Sequence, residues 1–154
     1  MCYKIDYEVA EIKLVYQNRV SAKDRPQICS SLDAYQILLA NWTEQLGFIE
    51  EFYILLLDRS NGVMGYYKVS QGSMAGTIVD PKVVFAAALK ARTSAIILAH
   101  NHPSGNLYPS QADKALTQKL SKAGKLLDLP ILDHLILSPD GGYYSFADEG
   151  LIDS

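Results

Sequence analysis

Cysteine and histidine are scarce in this chain. Its 154 residues hold two cysteines, Cys2 and Cys29, which form no Cys-x-x-Cys pair. That argues against a disulfide framework and a cysteine-type zinc site, and it suits a reducing compartment. No apolar run reaches the roughly 18 residues that a membrane span needs. The N-terminal stretch MCYKIDYEVAEIKLVY carries Asp6, Glu8 and Glu11 and has no basic region ahead of an unbroken apolar core, so it does not read as a signal peptide. The expected location is the cytoplasm. An excess of basic residues is also missing: 14 Lys and Arg stand against 17 Asp and Glu, a formal net charge of −3. Nucleic-acid phosphates are usually gripped by a basic footprint, and only a local patch would be left to supply one. Repeats and low-complexity tracts are absent. What remains is 49% hydrophobic and 20% charged, the balance of a soluble globular protein with one core, here over residues 1–154.

Periodicity divides the chain into alternating elements. Residues 7–16, YEVAEIKLVY, alternate apolar and polar side chains as a half-buried strand does, and 18–27 read as a polar connection. Ser30 and Asp33 make a capping-box start to a helix over 30–46, with Ala34, Leu38, Trp42 and Leu46 on one face. EEFYILLLD, at 50–58, is too apolar for a surface strand and too short for an isolated helix, so it predicts a central strand. After the turn RSNG, residues 62–72 form its hairpin partner. Asp80 caps a helix that begins at Pro81. SAIILAH is a short buried strand, SQADKALTQKLSKAG a helix capped by Ser110 and terminated at Gly124, LPILDHLILS a strand, and YYSFA the last strand after the turn PDGG. The order β-α-β-β-α-β-α-β-β predicts an α/β three-layer fold, a mixed sheet with helices on both faces.

Chemistry concentrates in IILAHNHPSGNLYPSQAD, residues 96–113. Two of the three histidines, His100 and His102, leave a buried strand with one Asn between them. In an extended segment residues i and i+2 point the same way, so both imidazoles can face one ion. Zinc in a catalytic site takes three protein ligands and keeps a position open. Asp113 is the nearest third ligand, in the first turn of the helix that Ser110 caps. Ser-x-x-Asp ahead of an apolar helix is also a capping box, which needs no metal. A strand exit followed by a Pro-Gly loop nevertheless suits a site, since α/β sheets place sites at strand C-termini. Hydrolysis further requires a proton shuttle. Neither the His-Glu-x-x-His motif nor the paired cysteines of zinc deaminases occur. Glu50, Glu51 and Asp58, around the central strand, are the alternatives. His134, in LLDHLIL, reads as a satisfied core group outside the metal shell. Asn101 and Ser104 read as residues that shape the loop.

The spacing His-x-His, seven residues, Ser, two residues, Asp resembles the JAMM signature of JAB/MPN metallopeptidases. ILAHNHPSG, followed by LLDHLIL and YYSFADEGL, looks like the RadC-like branch, over most of the chain from about residue 30 onward. The resemblance implies the JAB/MPN, cytidine-deaminase-like fold. It also implies His100, His102 and Asp113 as ligands of one Zn²⁺ beside a water, Glu50 as general base and then acid, and Ser110 as hydrogen-bond donor to the oxyanion. Glu50 is selected because RadC-like domains carry a Glu two positions before a Phe at the head of the central strand, here Phe52. Glu51, its neighbour, would point the other way. The implied reaction is hydrolysis of a peptide or isopeptide amide in a peptide or protein substrate. Two other readings follow from the resemblance, a non-enzymatic MPN-type interaction module and a DNA-binding protein under the family's traditional DNA-repair label. Residues 1–45 read as a strand and a helix rather than the helix-hairpin-helix domain that RadC-like proteins usually carry, and this weakens the DNA reading.

Overall fold

The computed structural model describes residues 9–13, 15, 17, 19–72 and 77–152. Two mainly apolar strands set its centre. β1 (Glu51–Leu57) and β3 (Ala95–Asn101) are buried at every position. Only strands flanked on both edges and covered on both faces can be so, which is why their sequences do not alternate. β2 (Val63–Gln71) lies antiparallel on the outer edge of β1, and the sheet order is β2-β1-β3-β4-β5. β1 and β3 are antiparallel, with Phe52 opposite His100. β4 (Ile131–Leu137) runs parallel to β3, and β5 (Tyr143–Ser145) antiparallel to β4. A parallel neighbour needs a crossover, and α3 (Gln111–Leu126) supplies it.

Alternation along the strands splits the core in two. Phe52, Ile54, Leu56, Ile96 and Leu98 pack against Val84, Phe85 and Ala88 of α2 (Pro81–Lys90) and Leu120 of α3. Tyr53, Leu55, Leu57, Ile97 and Ala99 pack against Ala34 and Leu38 of α1 (Ser31–Asn41). The result is the expected three-layer α/β architecture with a mixed sheet. Among the described residues no helix is long and apolar enough to cross a membrane.

Four boundaries differ from the sequence reading. Helix α1 stops at Asn41, not at residue 46, because Trp42 is extended (ψ 153°) and Thr43 Oγ1 accepts the Gln45 amide at 3.1 Å, a local bond that competes with the helix. Trp42 and Leu46 still pack on the α1 face, so the apolar period outlasts the helix. Gly124 does not terminate α3, which runs on to Leu126. The left-handed residue is Asp128 (φ 54°), and Leu129 N–H closes on Gly124 O at 2.8 Å with Asp128 N–H on Lys125 O, the paired bonds of a Schellman end. Gly124 is needed because a Cβ there would overlap the Leu129 carbonyl. β5 ends at Ser145, before Phe146 and Ala147 turn away. The strand expected over 7–16 is not formed at 9–13 and 15, which are exposed and irregular, and its remaining positions lie outside the described residues. An alternating pattern makes a strand only where an edge is offered to it.

Candidate metal centre

The antiparallel register of β1 and β3 brings the start of one to the end of the other, and α3 begins beside both. Glu50, His100, His102 and Asp113 meet there, with one ligand atom of each within 4.8 Å of all the others. Among the described residues it is the only such grouping. His100 Nε2 and His102 Nε2 are 3.0 Å apart. Asp113 Oδ1 lies 3.3 Å from His100 Nε2, and Asp113 Oδ2 lies 3.3 Å from His102 Nε2. A tetrahedral ion with bonds of roughly 2.0–2.1 Å sets its ligands about 3.4 Å apart, so these spacings fit one. The donor set fits as well. His102 Nδ1–H donates to the Asn106 carbonyl at 2.6 Å, since a carbonyl only accepts. That leaves Nε2 of the neutral ring as a lone pair, turned toward two carboxylates. A cation reconciles such a cluster, whether a proton or a metal ion.

Charge bears this out. Burial works against ionised Asp113, but imidazoles that carry protons at its oxygens, with the Ser110 amide, outweigh it and hold the carboxyl far below the carboxylate range. The same Asp113 carboxylate raises the pKa of His102 against burial, with Asn106 and Glu50 adding to it. Burial raises the pKa of Glu50, while the two histidines oppose and Asp113 reinforces the shift.

At the head of α3 the cap and the residue facing the histidines are one device. Ser110 N–H donates to Asp113 Oδ2 at 2.8 Å, and Asp113 N–H donates to Ser110 Oγ at 3.0 Å, the reciprocal pair of a capping box. The box turns the Asp113 carboxylate toward the histidines. The cap uses one lone pair of Ser110 Oγ and leaves the hydroxyl proton to give. Beside the cluster lies a cleft of about 210 Å³ between Glu50 and Asp113 and the apolar Phe52, Val79, Ala112 and Leu116.

The two neighbouring glutamates part at β1. Glu50 is on the histidine side. Glu51 is buried on the other face, where it pairs with Lys68 at 3.0 Å and takes hydrogen bonds from Thr43 and Tyr53. Burial of Tyr53, and after it the Glu51 charge and Tyr66, push the Tyr53 phenol up to about 12. Asp58 sits at the far end of β1, paired with Arg25 at 2.8 Å. Sequence reasoning understated two residues. Asn101 is fully buried; its Oδ1 accepts the Glu51 amide at 2.7 Å, and its Nδ2 donates to Leu46 O and Ile49 O. His134 is fully buried and touches His100, with Nε2 2.7 Å from His100 Nδ1. His100 lies 34 residues from His134, and Glu51 lies 50 from Asn101, out of reach of any local pattern. Ser104 Oγ accepts the Asn106 amide at 3.3 Å, a loop contact as expected.

Residues 28–151 match a family model described as a RadC-like JAB domain. A UPF0758 protein of Flavobacterium johnsoniae is 48% identical over 125 residues, 81% of this chain and 53% of that protein. A UPF0758 protein of Porphyromonas gingivalis is 46% identical over 103 residues, 67% and 45% respectively. One of Methanosarcina acetivorans is 42% identical over 126 residues, 82% and 54%. The chain thus spans about half the length of these curated relatives.

Proposed function

The chain belongs to the RadC-like JAB domain family, and from that premise we propose that it is a zinc-dependent hydrolase of amide bonds, a peptidase or isopeptidase acting on a peptide or protein. The observation that carries the reading is the convergence of His100 Nε2, His102 Nε2 and the Asp113 carboxylate at tetrahedral spacing, with Glu50 beside them at an open cleft. Two imidazoles and one carboxylate suit zinc, and three protein ligands are the number a catalytic zinc site uses. A zinc ion held there supplies a Lewis acid that lowers the pKa of water and polarises a carbonyl.

The chain's own groups do the rest. Glu50 draws a proton from the attacking water and returns it to the departing nitrogen. Burial, by raising its pKa, makes it a better base than an exposed carboxylate and a usable acid in the next step. Ser110 donates its hydroxyl proton to the oxygen on which charge develops. The apolar wall of Phe52, Val79 and Leu116 keeps water from competing on that side.

Elemental analysis of protein titrated with zinc is expected to give one ion per chain. Cleavage of amide-linked fluorogenic peptides is expected to fall about 10²- to 10⁴-fold in Glu50→Gln, with zinc retained. Glu51→Gln, changed on the opposite face, keeps turnover within a few fold. Absence of stoichiometric zinc in titrated, folded wild-type protein would end this reading.

A further inference from the structure

His134 is an unusual neighbour for a metal ligand. It lies on β4, wholly buried, stacked on Phe146 at 4.7 Å and edge-on to Phe52 at 5.5 Å. Its Nδ1 is 2.6 Å from Thr117 Oγ1, and its Nε2 is 2.7 Å from His100 Nδ1. Thr117 Oγ1 in turn lies 2.7 Å from the Asp113 carbonyl.

One hydroxyl proton decides the direction of the whole chain. A carbonyl cannot donate, so Thr117 O–H donates to Asp113 O. Thr117 Oγ1 must then accept from His134, which puts the His134 proton on Nδ1. In the neutral ring, wholly buried against Phe52 and Phe146, that leaves Nε2 as a bare acceptor. It therefore accepts from His100, which fixes the His100 proton on Nδ1 and leaves His100 Nε2 as a lone pair facing His102 and Asp113.

We propose that Thr117 and His134 are positioning residues that hold His100 in the tautomer whose Nε2 is free for the ion. The competing tautomer carries its proton on Nε2 and would donate to Asp113 Oδ1, 3.3 Å away. That arrangement would satisfy the metal-free site and block ligation. Metal-bound histidines commonly give their second N–H to a carboxylate or a carbonyl. Here the acceptor is a second histidine, whose own tautomer is set from helix α3. The head of α3 thus reaches the site twice, through the Asp113 carboxylate and, through the Asp113 carbonyl, by way of Thr117 and His134. The proposal rests on the metal reading of the cluster for its purpose, but not for the tautomers.

Nitrogen-15 shifts of the imidazoles in metal-free protein decide the tautomers directly. Both His100 and His134 are expected with protonated Nδ1 and bare Nε2. Thr117→Val removes the acceptor of His134 Nδ1–H. His134 can then move its proton to Nε2 and aim it at His100 Nδ1, so His100 is expected to shift toward the Nε2–H form although residue 117 does not touch it. Zinc affinity, from competition with a chromophoric chelator, is expected to fall about 10- to 100-fold in Thr117→Val and in His134→Phe. His134→Gln, which keeps an acceptor for His100, is expected to recover most of that loss. Thermal melts confirm that each variant is folded. The proposal is overturned by a wild-type His100 with its proton on Nε2, or by folded Thr117→Val and His134→Phe proteins that bind zinc as wild type does. Wild-type protein that takes no zinc but shows the expected shifts sinks the metal reading and leaves the tautomer lock standing.

Discussion

Asn101 has no charge to offer the site, yet it fixes where Glu50 stands. Sitting between two histidines in a strand, it points to the opposite face from both. There it uses three of its hydrogen-bonding positions on Leu46 O, Ile49 O and Glu51 N–H, the backbone on either side of Glu50. Truncation to Ala leaves those groups buried and unpaired, at roughly 1–3 kcal/mol for each that finds no water. Asn101→Ala is therefore expected to lose on the order of 3 kcal/mol of stability. Its zinc affinity should stay within a few fold, because no ligand is touched. Turnover of a fluorogenic peptide should drop by tenfold or more as Glu50 loses its anchor. Chemical denaturation, chelator competition and steady-state kinetics on one preparation separate the three. A variant that loses zinc in step with turnover would show that Asn101 acts through the histidines instead.

Helices α1 and α3 open with the same device, and comparing them separates capping from chemistry. Ser30 with Asp33 and Ser110 with Asp113 are both reciprocal capping boxes. Asp33 is held below its usual pKa chiefly by the Cys29 amide, with the Ser30 amide and hydroxyl adding to it, and among the described residues it joins no metal-ligating group. Asp113 faces two histidines. Ser30→Ala and Ser110→Ala are each expected to lower stability by about 0.5–2 kcal/mol, the worth of an N-cap. Only Ser110→Ala should also lower kcat. Equal kcat in the two variants would reduce Ser110 to a cap. This pair also marks what the sequence makes legible. His100, His102, Ser110 and Asp113 fall within a single strand-loop-helix stretch, so their spacing alone carries their meeting. Glu50 could be chosen over Glu51 only with the family resemblance, because its place depends on how β1 registers against β3. His134 and Asn101 stayed hidden for the same reason in stronger form: each works through partners brought near by the sheet. The end of α1 misleads in the opposite sense, since Trp42 and Leu46 keep a helical apolar spacing after Thr43 has already turned the chain.

Across the whole molecule, the core and the site are separable. Apolar clusters cover both faces of the sheet and draw on all three helices. The site sits at the rim, where an ion would join the end of β3 to the head of α3. Removing the ion should therefore lower stability without dissolving the fold, unlike small zinc domains that unfold when stripped. Binding to the folded chain alone contributes RT ln(1 + [L]/Kd), about 4 kcal/mol at a thousandfold excess over Kd. Far-UV circular dichroism of the chelated protein at 25 °C is expected to match that of the zinc form, with a lower melting temperature. The gap should depend on pH in a definite direction. The pKa of His102 is raised by the Asp113 carboxylate, so the metal-free fold holds that proton more tightly than the unfolded chain does. Its contribution is complete below the unfolded value of 6.5 and is lost as pH climbs through the raised folded value. At about pH 6 a proton on His102 partly stands in for the ion, and it also competes with it. At about pH 8 it does neither. The difference in melting temperature between zinc-saturated and chelated protein is accordingly expected to widen from pH 6 to pH 8. A gap that narrows over that range, or a chelated protein already unfolded at 25 °C, would mean that the ion organises the fold and that the core does not stand without it.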